Sequence, residues 1–233
     1  MFELNDVNLV YDLGKEDVTH ALKNVNFKCG EKGLVGLIGP SGSGKSSMLY
    51  VMAGLKSPTS GEVRYNGALI NKMPLDEKAK LRHKRFGFIF QRGYLVEYLS
   101  VLDNVLIPLN QSDSDSRDRA LKLLRELGIE RLAKKKPYQL SGGQRHRVAI
   151  ARALINGPEV VFADEPTAAL DHKSASEVMK ILSDYAKEKL VIVVTHDTSI
   201  LDGTARIITI WDGAILNNGQ QKTIAAEGKV DAL

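Results

Sequence analysis

Apolar and polar positions change period along this chain in an order that predicts strands first and then alternating strands and helices. FELNDVNLVY (2–11) and ALKNVNFKC (21–29) alternate in part, as half-buried strands do. Gly30 and Gly33 bracket a turn. GLVGLIG (33–39) is a continuous apolar run, the form of a strand buried on both faces. GPSGSGKSS and then MLYVMAGL follow it, giving a strand, a glycine loop and an apolar helix in immediate succession. SPTSGEVRYNGALI (57–70) predicts a turn and a hairpin, and RFGFIFQ (85–91) another short buried strand.

From Ser100 to about Ala133 the pattern is mostly helical, broken by Pro108 and by the polar loop QSDSDS (111–116). It includes the amphipathic stretch RDRALKLLRELGI (117–129). LSGGQ (140–144) opens a further helix, RHRVAIARALI. EVVFADEP, LVIVVTH and ARIITIWDG then read as three more buried strands, with an amphipathic helix at SASEVMKILSDYAKE between the first two. Apolar strands alternating with helices from about residue 34 onward predict an α/β fold with a parallel sheet covered by helices. No internal repeat or low-complexity linker divides it, and the only candidate subdomain is the helical stretch between Gln91 and Gln144.

Composition narrows the class. The chain has 233 residues, 43% apolar and 26% charged, which is ordinary for a soluble domain with its own core. The net charge of +4 does not imply nucleic-acid binding without a clustered basic face. Lys134-Lys135-Lys136 and His83-Lys84-Arg85 are read as solvated surface. The single cysteine, Cys29, is expected to be a small buried apolar residue. No run reaches the roughly 18 apolar residues that span a bilayer, and MFELNDVNLV lacks the basic and apolar regions of a signal peptide. Membrane work would require another chain to hold this one there.

Three motifs carry chemistry. GPSGSGKS (39–46) fits G-x-x-x-x-G-K-[ST]. In it Gly39, Pro40, Ser41, Gly42, Ser43 and Gly44 form a loop whose backbone N–H groups approach phosphate oxygens, and Ser47 continues into the helix. Lys45 supplies a point charge for the β and γ phosphates, and Ser46 a hydroxyl ligand for Mg²⁺. Asp164 and Glu165 end an apolar strand, where two carboxylates are costly without partners. Mg²⁺ suits the first, and a water for attack on the γ-phosphate suits the second. In LSGGQ, Ser141 can cap a helix while Gly142, Gly143 and Gln144 expose N–H groups to an anion. Read alone it is also a plain helix N-cap.

Together these motifs resemble the ABC ATPase domain: GPSGSGKS its Walker A motif, LSGGQ its signature and VVFADE its Walker B motif. Gln91 resembles the Q-loop, AALD (168–171) the D-loop and His196 the switch histidine, while Tyr11 stands where the family stacks an aromatic ring on adenine. The match covers nearly the whole chain in the expected order. The resemblance implies a P-loop NTPase core with a mainly parallel sheet, an N-terminal antiparallel β subdomain and a helical subdomain over about residues 92–150, all within one nucleotide-binding domain spanning 1–233. It implies ATP and Mg²⁺ as ligands, with Ser46, Gln91 and Asp164 at the metal and Glu165, His196 and Lys45 as the catalytic residues. It also implies two copies pairing head to tail, each nucleotide held by one copy's Walker A and the other copy's LSGGQ.

A lone cassette with no fused membrane helices is expected to be a cytoplasmic subunit, peripheral on the inner membrane face through separate permease subunits. About 50 residues separate Gln91 from LSGGQ, without the sustained heptads of chromosome-maintenance relatives. The layout is similar to the subfamily serving lipoprotein release, macrolide or peptide export and cell-division complexes. FIFQRGYLVEYLS (88–100) is either a plain surface loop or part of a groove for the membrane partner, with Leu95, Tyr98 and Leu99 as its apolar candidates. A soluble ABC ATPase acting on DNA or ribosomes, and a regulator that transmits force without moving a substrate, are the alternative readings.

Overall fold

The computed structural model describes residues 2–12, 18–91, 93–109, 113–168, 170–201, 203 and 205–217. The chain opens with two long antiparallel strands, β1 (Phe2–Tyr11) and β2 (Thr19–Cys29). It continues through β3 (Gly33–Ile38), α1 (Lys45–Met52), β4 (Ser60–Tyr65) and β5 (Ala68–Leu69). Next come α2 (Leu75–Arg85), β6 (Phe86–Ile89), α3 (Val101–Leu106), α4 (Ser114–Glu126) and α5 (Gly142–Leu154). The last elements are β7 (Val160–Asp164), α6 (His172–Ala186), β8 (Leu190–Val194), β9 (Arg206–Trp211) and β10 (Ala214–Asn217).

Two sheets result. The N-terminal sheet has the order β2-β1-β4-β5 and its pairs are antiparallel. The central sheet has the order β10-β9-β3-β8-β7-β6, parallel from β9 to β6, with β10 folded back antiparallel on β9. The parallel core and the β4–β5 hairpin agree with the hydrophobic pattern. β9 departs from it: Ile208 and Ile210 are buried, but Trp211 is 56% exposed. A strand next to the β10 edge has less cover than β7 or β8, so it alternates instead of burying both faces.

The period-2 geometry of β7 and β8 divides the interior. Val161, Ala163, Val191 and Val193 face one apolar cluster with α3, α4, α5 and α6. Val160, Phe162, Leu190, Ile192 and Val194 face the other, with α1 and the N-terminal sheet. There the rings of Phe2, Phe86 and Phe162 pack edge to face or tilted, Phe2 and Phe162 with centroids 5.8 Å apart. Cys29 is buried among them, as its lone occurrence suggested.

The helix α2 has no counterpart in the hydrophobic pattern. Its sequence, LDEKAKLRHKR, buries only Lys78, so no apolar stripe marks it. Its end signals are legible all the same: Pro74 at the N-cap, Asp76 and Glu77 in the first turn, and four basic residues in the last. His83-Lys84-Arg85 is therefore the basic end of a surface helix, complementing its dipole. Among the described residues no helix is long and apolar enough to cross a membrane.

Candidate nucleotide site

Register gathers the site at one edge of the central sheet. β3 leads directly into the glycine loop, Ile89 of β6 lies beside Ala163 of β7, and Asp164 lies beside Val194 of β8. Gln91, Glu165 and His196 each stand one or two residues beyond these strand ends, at the carboxyl edge where open α/β sheets place their ligands.

The loop geometry requires glycine at two points. Gly39 has φ 146°, and a Cβ there would lie 2.0 Å from the Ile210 carbonyl oxygen. Gly44 caps α1 at φ 102°, and its Cβ would lie 2.3 Å from the Ala21 carbonyl oxygen. The loop is thus pressed against β9 on one side and β2 on the other. Lys45, 8% exposed, donates from Nζ to the carbonyls of Gly39 at 2.9 Å and Pro40 at 2.7 Å. An ammonium has three donors, so one remains for an anion in the loop. Ser43 is buried with its Oγ unpaired, while Ser41 and Gly42 are exposed at the loop crest.

Asp164 is 5% exposed and accepts from two hydroxyls of α1: Ser46 at Oδ1, 2.8 Å, and Tyr50 at Oδ2, 2.7 Å. Burial first, and then the Asp164 carboxylate, push the Tyr50 phenol well above the ordinary tyrosine range, so it remains a donor. Glu165 has φ 50°, the left-handed region that a glutamate adopts at a cost of order 1 kcal/mol or more. Its N–H donates to the Val194 carbonyl at 3.0 Å, and its Oε2 lies 3.0 Å from Nδ1 of His196. The glutamate is largely buried and the imidazole 71% exposed.

Tyr11 is half-buried beside the loop helix, its hydroxyl 3.3 Å from Ser47 Oγ and the Lys56 ammonium 5.3 Å from its ring centroid. The segment 13–17 that follows it, and Arg92, Gln111, Ser112 and Ala169 from the sequence motifs, lie outside the described residues.

LSGGQ forms the N-terminus of α5, and its cap is a reciprocal one. Gln144 N–H donates to Ser141 Oγ at 3.3 Å, and Ser141 N–H donates to Gln144 Oε1 at 3.1 Å. The helix-cap reading is therefore satisfied within the chain. No hydrogen bond or ion pair among the described residues joins 141–144 to the loop 39–47. Gly142 and Gly143 leave the helix start open, Gly143 passing close to Leu170.

The family model described as "ABC transporter" matches residues 22–168 of the chain. The chain belongs to the ABC transporter ATP-binding family. It is an ATP-binding cassette ATPase. An uncharacterized ABC transporter ATP-binding protein of Methanocaldococcus jannaschii, MJ0796, is 43% identical over 92% of this chain and 95% of that protein. The macrolide export ATP-binding/permease protein MacB of Acinetobacter baylyi is 45% identical over 90% of this chain, which spans 32% of MacB. A dimeric structure of MJ0796 in a post-hydrolysis state bound to ADP and Pi superposes with a TM-score of 0.87 at 41% identity, covering 93% of this chain and 97% of that one. Structure cbiO1 of Clostridium perfringens, part of the transporter complex cbiONQ, gives 0.81 at 31% identity, covering 95% and 88%.

Sequence reasoning missed two residues of this cassette's site. Tyr50 read as part of an apolar helix, although its spacing of four from Ser46 puts both hydroxyls on one face. Arg152 of α5 donates to the carbonyls of Gly93 at 2.7 Å and Tyr94 at 2.8 Å, tying the signature helix to the segment after Gln91. Only the fold brings those residues together.

Proposed function

We propose that this cassette binds and hydrolyses ATP as the motor subunit of a membrane transport complex, two copies closing head to tail around two nucleotides. One observation carries the reading. The anion loop, the Ser46–Asp164 pair and the Glu165–His196 pair converge at one sheet edge, while among the described residues no hydrogen bond or ion pair joins the second anion-binding helix start, LSGGQ, to the anion loop. That separation supports a site shared between two copies, the signature of one meeting the phosphate loop of the other. The dimeric MJ0796 cassette bound to ADP and Pi supports pairing of two copies.

Each residue's role follows from its chemistry. Backbone N–H groups from Gly42 to Ser47 and the positive end of α1 receive the phosphates, and the free donor of Lys45 bridges them. The hard oxygens of Ser46 and Asp164, already 2.8 Å apart, fit a magnesium ion, with Gln91, two residues beyond β6, completing the set. Bound there, magnesium would offset charge on the phosphate oxygens. Glu165 accepts a hydrogen bond from the attacking water and orients it, and its left-handed backbone fixes that carboxylate. His196, held at Nδ1 by Glu165, turns its other nitrogen toward the γ-phosphate. Tyr11 stacks on the base. Ser141, Gly142, Gly143 and Gln144 cover the γ-phosphate of the partner copy's nucleotide.

The chain is read as one nucleotide-binding domain, its helical part at about 92–150 sharing an apolar cluster with β7 and β8. The permease dock is the surface beside Gln91. Tyr94, 65% exposed, meets Phe90 and Arg152 of a cleft of about 350 Å³ that Phe88 and Ile107 also line, and Tyr98 is 77% exposed. The position is peripheral, on the cytoplasmic face of the membrane, through that partner. A gentle pull-down of the tagged protein from detergent-solubilised cells tests this. A stoichiometric multi-span membrane protein is expected; ribosomal proteins or DNA without one would overturn the transport assignment.

A further inference from the structure

We propose that Tyr50 is a positioning residue that fixes the Asp164 carboxylate for the magnesium ion accompanying the nucleotide. The proposal rests on the assignment of Asp164 to the metal. Ser46 and Tyr50 stand one turn apart on α1, and each donates to a different oxygen of Asp164, at 2.8 Å and 2.7 Å. A carboxylate held at one oxygen can still rotate about its own bond. Held at both oxygens by one helix, its plane is fixed relative to the loop that the same helix begins.

The donor itself is well held. The Tyr50 ring packs against the cluster containing Val35, Phe162 and Val194, and a phenol has few rotatable bonds to order. The hydroxyl donates to Asp164 Oδ2 at 2.7 Å. Each carboxylate oxygen has a second lone pair, so both hydrogen bonds leave acceptor capacity toward the ion and its waters. Groups of this outer kind orient the direct ligands, and their loss commonly lowers metal affinity or activity by roughly ten- to a hundredfold.

The test is Tyr50→Phe, which keeps the ring and removes the donor. Mn²⁺ binding to the protein with a non-hydrolysable ATP analogue is followed by electron paramagnetic resonance. Affinity for the same analogue in chelator and the thermal unfolding midpoint are measured beside it, with Asp164→Asn as the reference. The expected result is Mn²⁺ affinity lowered by roughly tenfold, with chelated-nucleotide affinity and midpoint little changed. Unchanged Mn²⁺ affinity would overturn the proposal, and so would parallel losses in all three measurements, which mark a packing role. If Asp164→Asn also leaves Mn²⁺ binding intact, the Asp164 assignment itself fails.

Discussion

Nδ1 of His196 lies 3.0 Å from Oε2 of Glu165, so the residue after one buried strand and the imidazole two residues after its neighbour share a contact. Neither strand could supply it alone. β7 brings the carboxylate, β8 brings the ring, and the Glu165 N–H bond to the Val194 carbonyl locks the two ends in register. The left-handed backbone of Glu165 is held at the same point, which is where a strained residue needs its surroundings to over-determine it.

Two residues that share a contact and are proposed to share a task should not act additively. Glu165→Gln and His196→Ala are each expected to lower kcat by roughly a hundredfold or more. The double variant should be little worse than the weaker single. Steady-state ATP hydrolysis across the four proteins checks this; losses that simply multiply would mean the residues act independently.

Lys45→Ala removes the charge proposed to bridge the phosphates while leaving the backbone cradle. Charge-assisted hydrogen bonds are worth about 1.5–3 kcal/mol, so ATP affinity should fall by roughly ten- to a hundredfold. Titration calorimetry reads this directly. Unchanged affinity would contradict the phosphate-loop assignment.

His146 sits on α5 two residues after Gln144, 4% exposed and with Nε2 unpaired. Burial pulls its imidazole below the ordinary histidine range, only partly offset by a hydrogen bond to the Pro166 backbone. A folded pKa below the unfolded one means that the unfolded chain takes up the proton first. Stability should therefore be full above about pH 6.5 and decline as the pH falls from there through the folded value. His146→Gln should flatten that acid-side decline in urea unfolding at several pH values. Identical slopes in the two proteins would show that His146 does not contribute.

How far the sequence carried these features depended on whether each was local. The glycine loop with Lys45 and Ser46, the acidic end of β7 and the cap at Ser141 are set by neighbours in the chain, and all were legible. α2 was not, because its residues touch little of the core and leave no periodic stripe. Its caps and charges were the remaining signal. Tyr50 was hidden for the opposite reason: an aromatic residue in an apolar helix reads as core until the strand bearing Asp164 is placed opposite it. The bonds from Arg152 to Gly93 and Tyr94 join residues about sixty positions apart. No window along the sequence spans that distance. The separation of LSGGQ from the loop among the described residues belongs to the same class, and it supports the proposed two-copy site.

Light scattering on the Glu165→Gln protein with ATP and Mg²⁺ reads the proposed two-copy site itself. Slowed hydrolysis should hold the nucleotide sandwich closed, giving a dimer that disappears with ADP. Adding Ser141→Arg should prevent the dimer while leaving ATP binding by the single copy intact. A Glu165→Gln protein that stays monomeric at every concentration with ATP and Mg²⁺ would rule out the two-copy site.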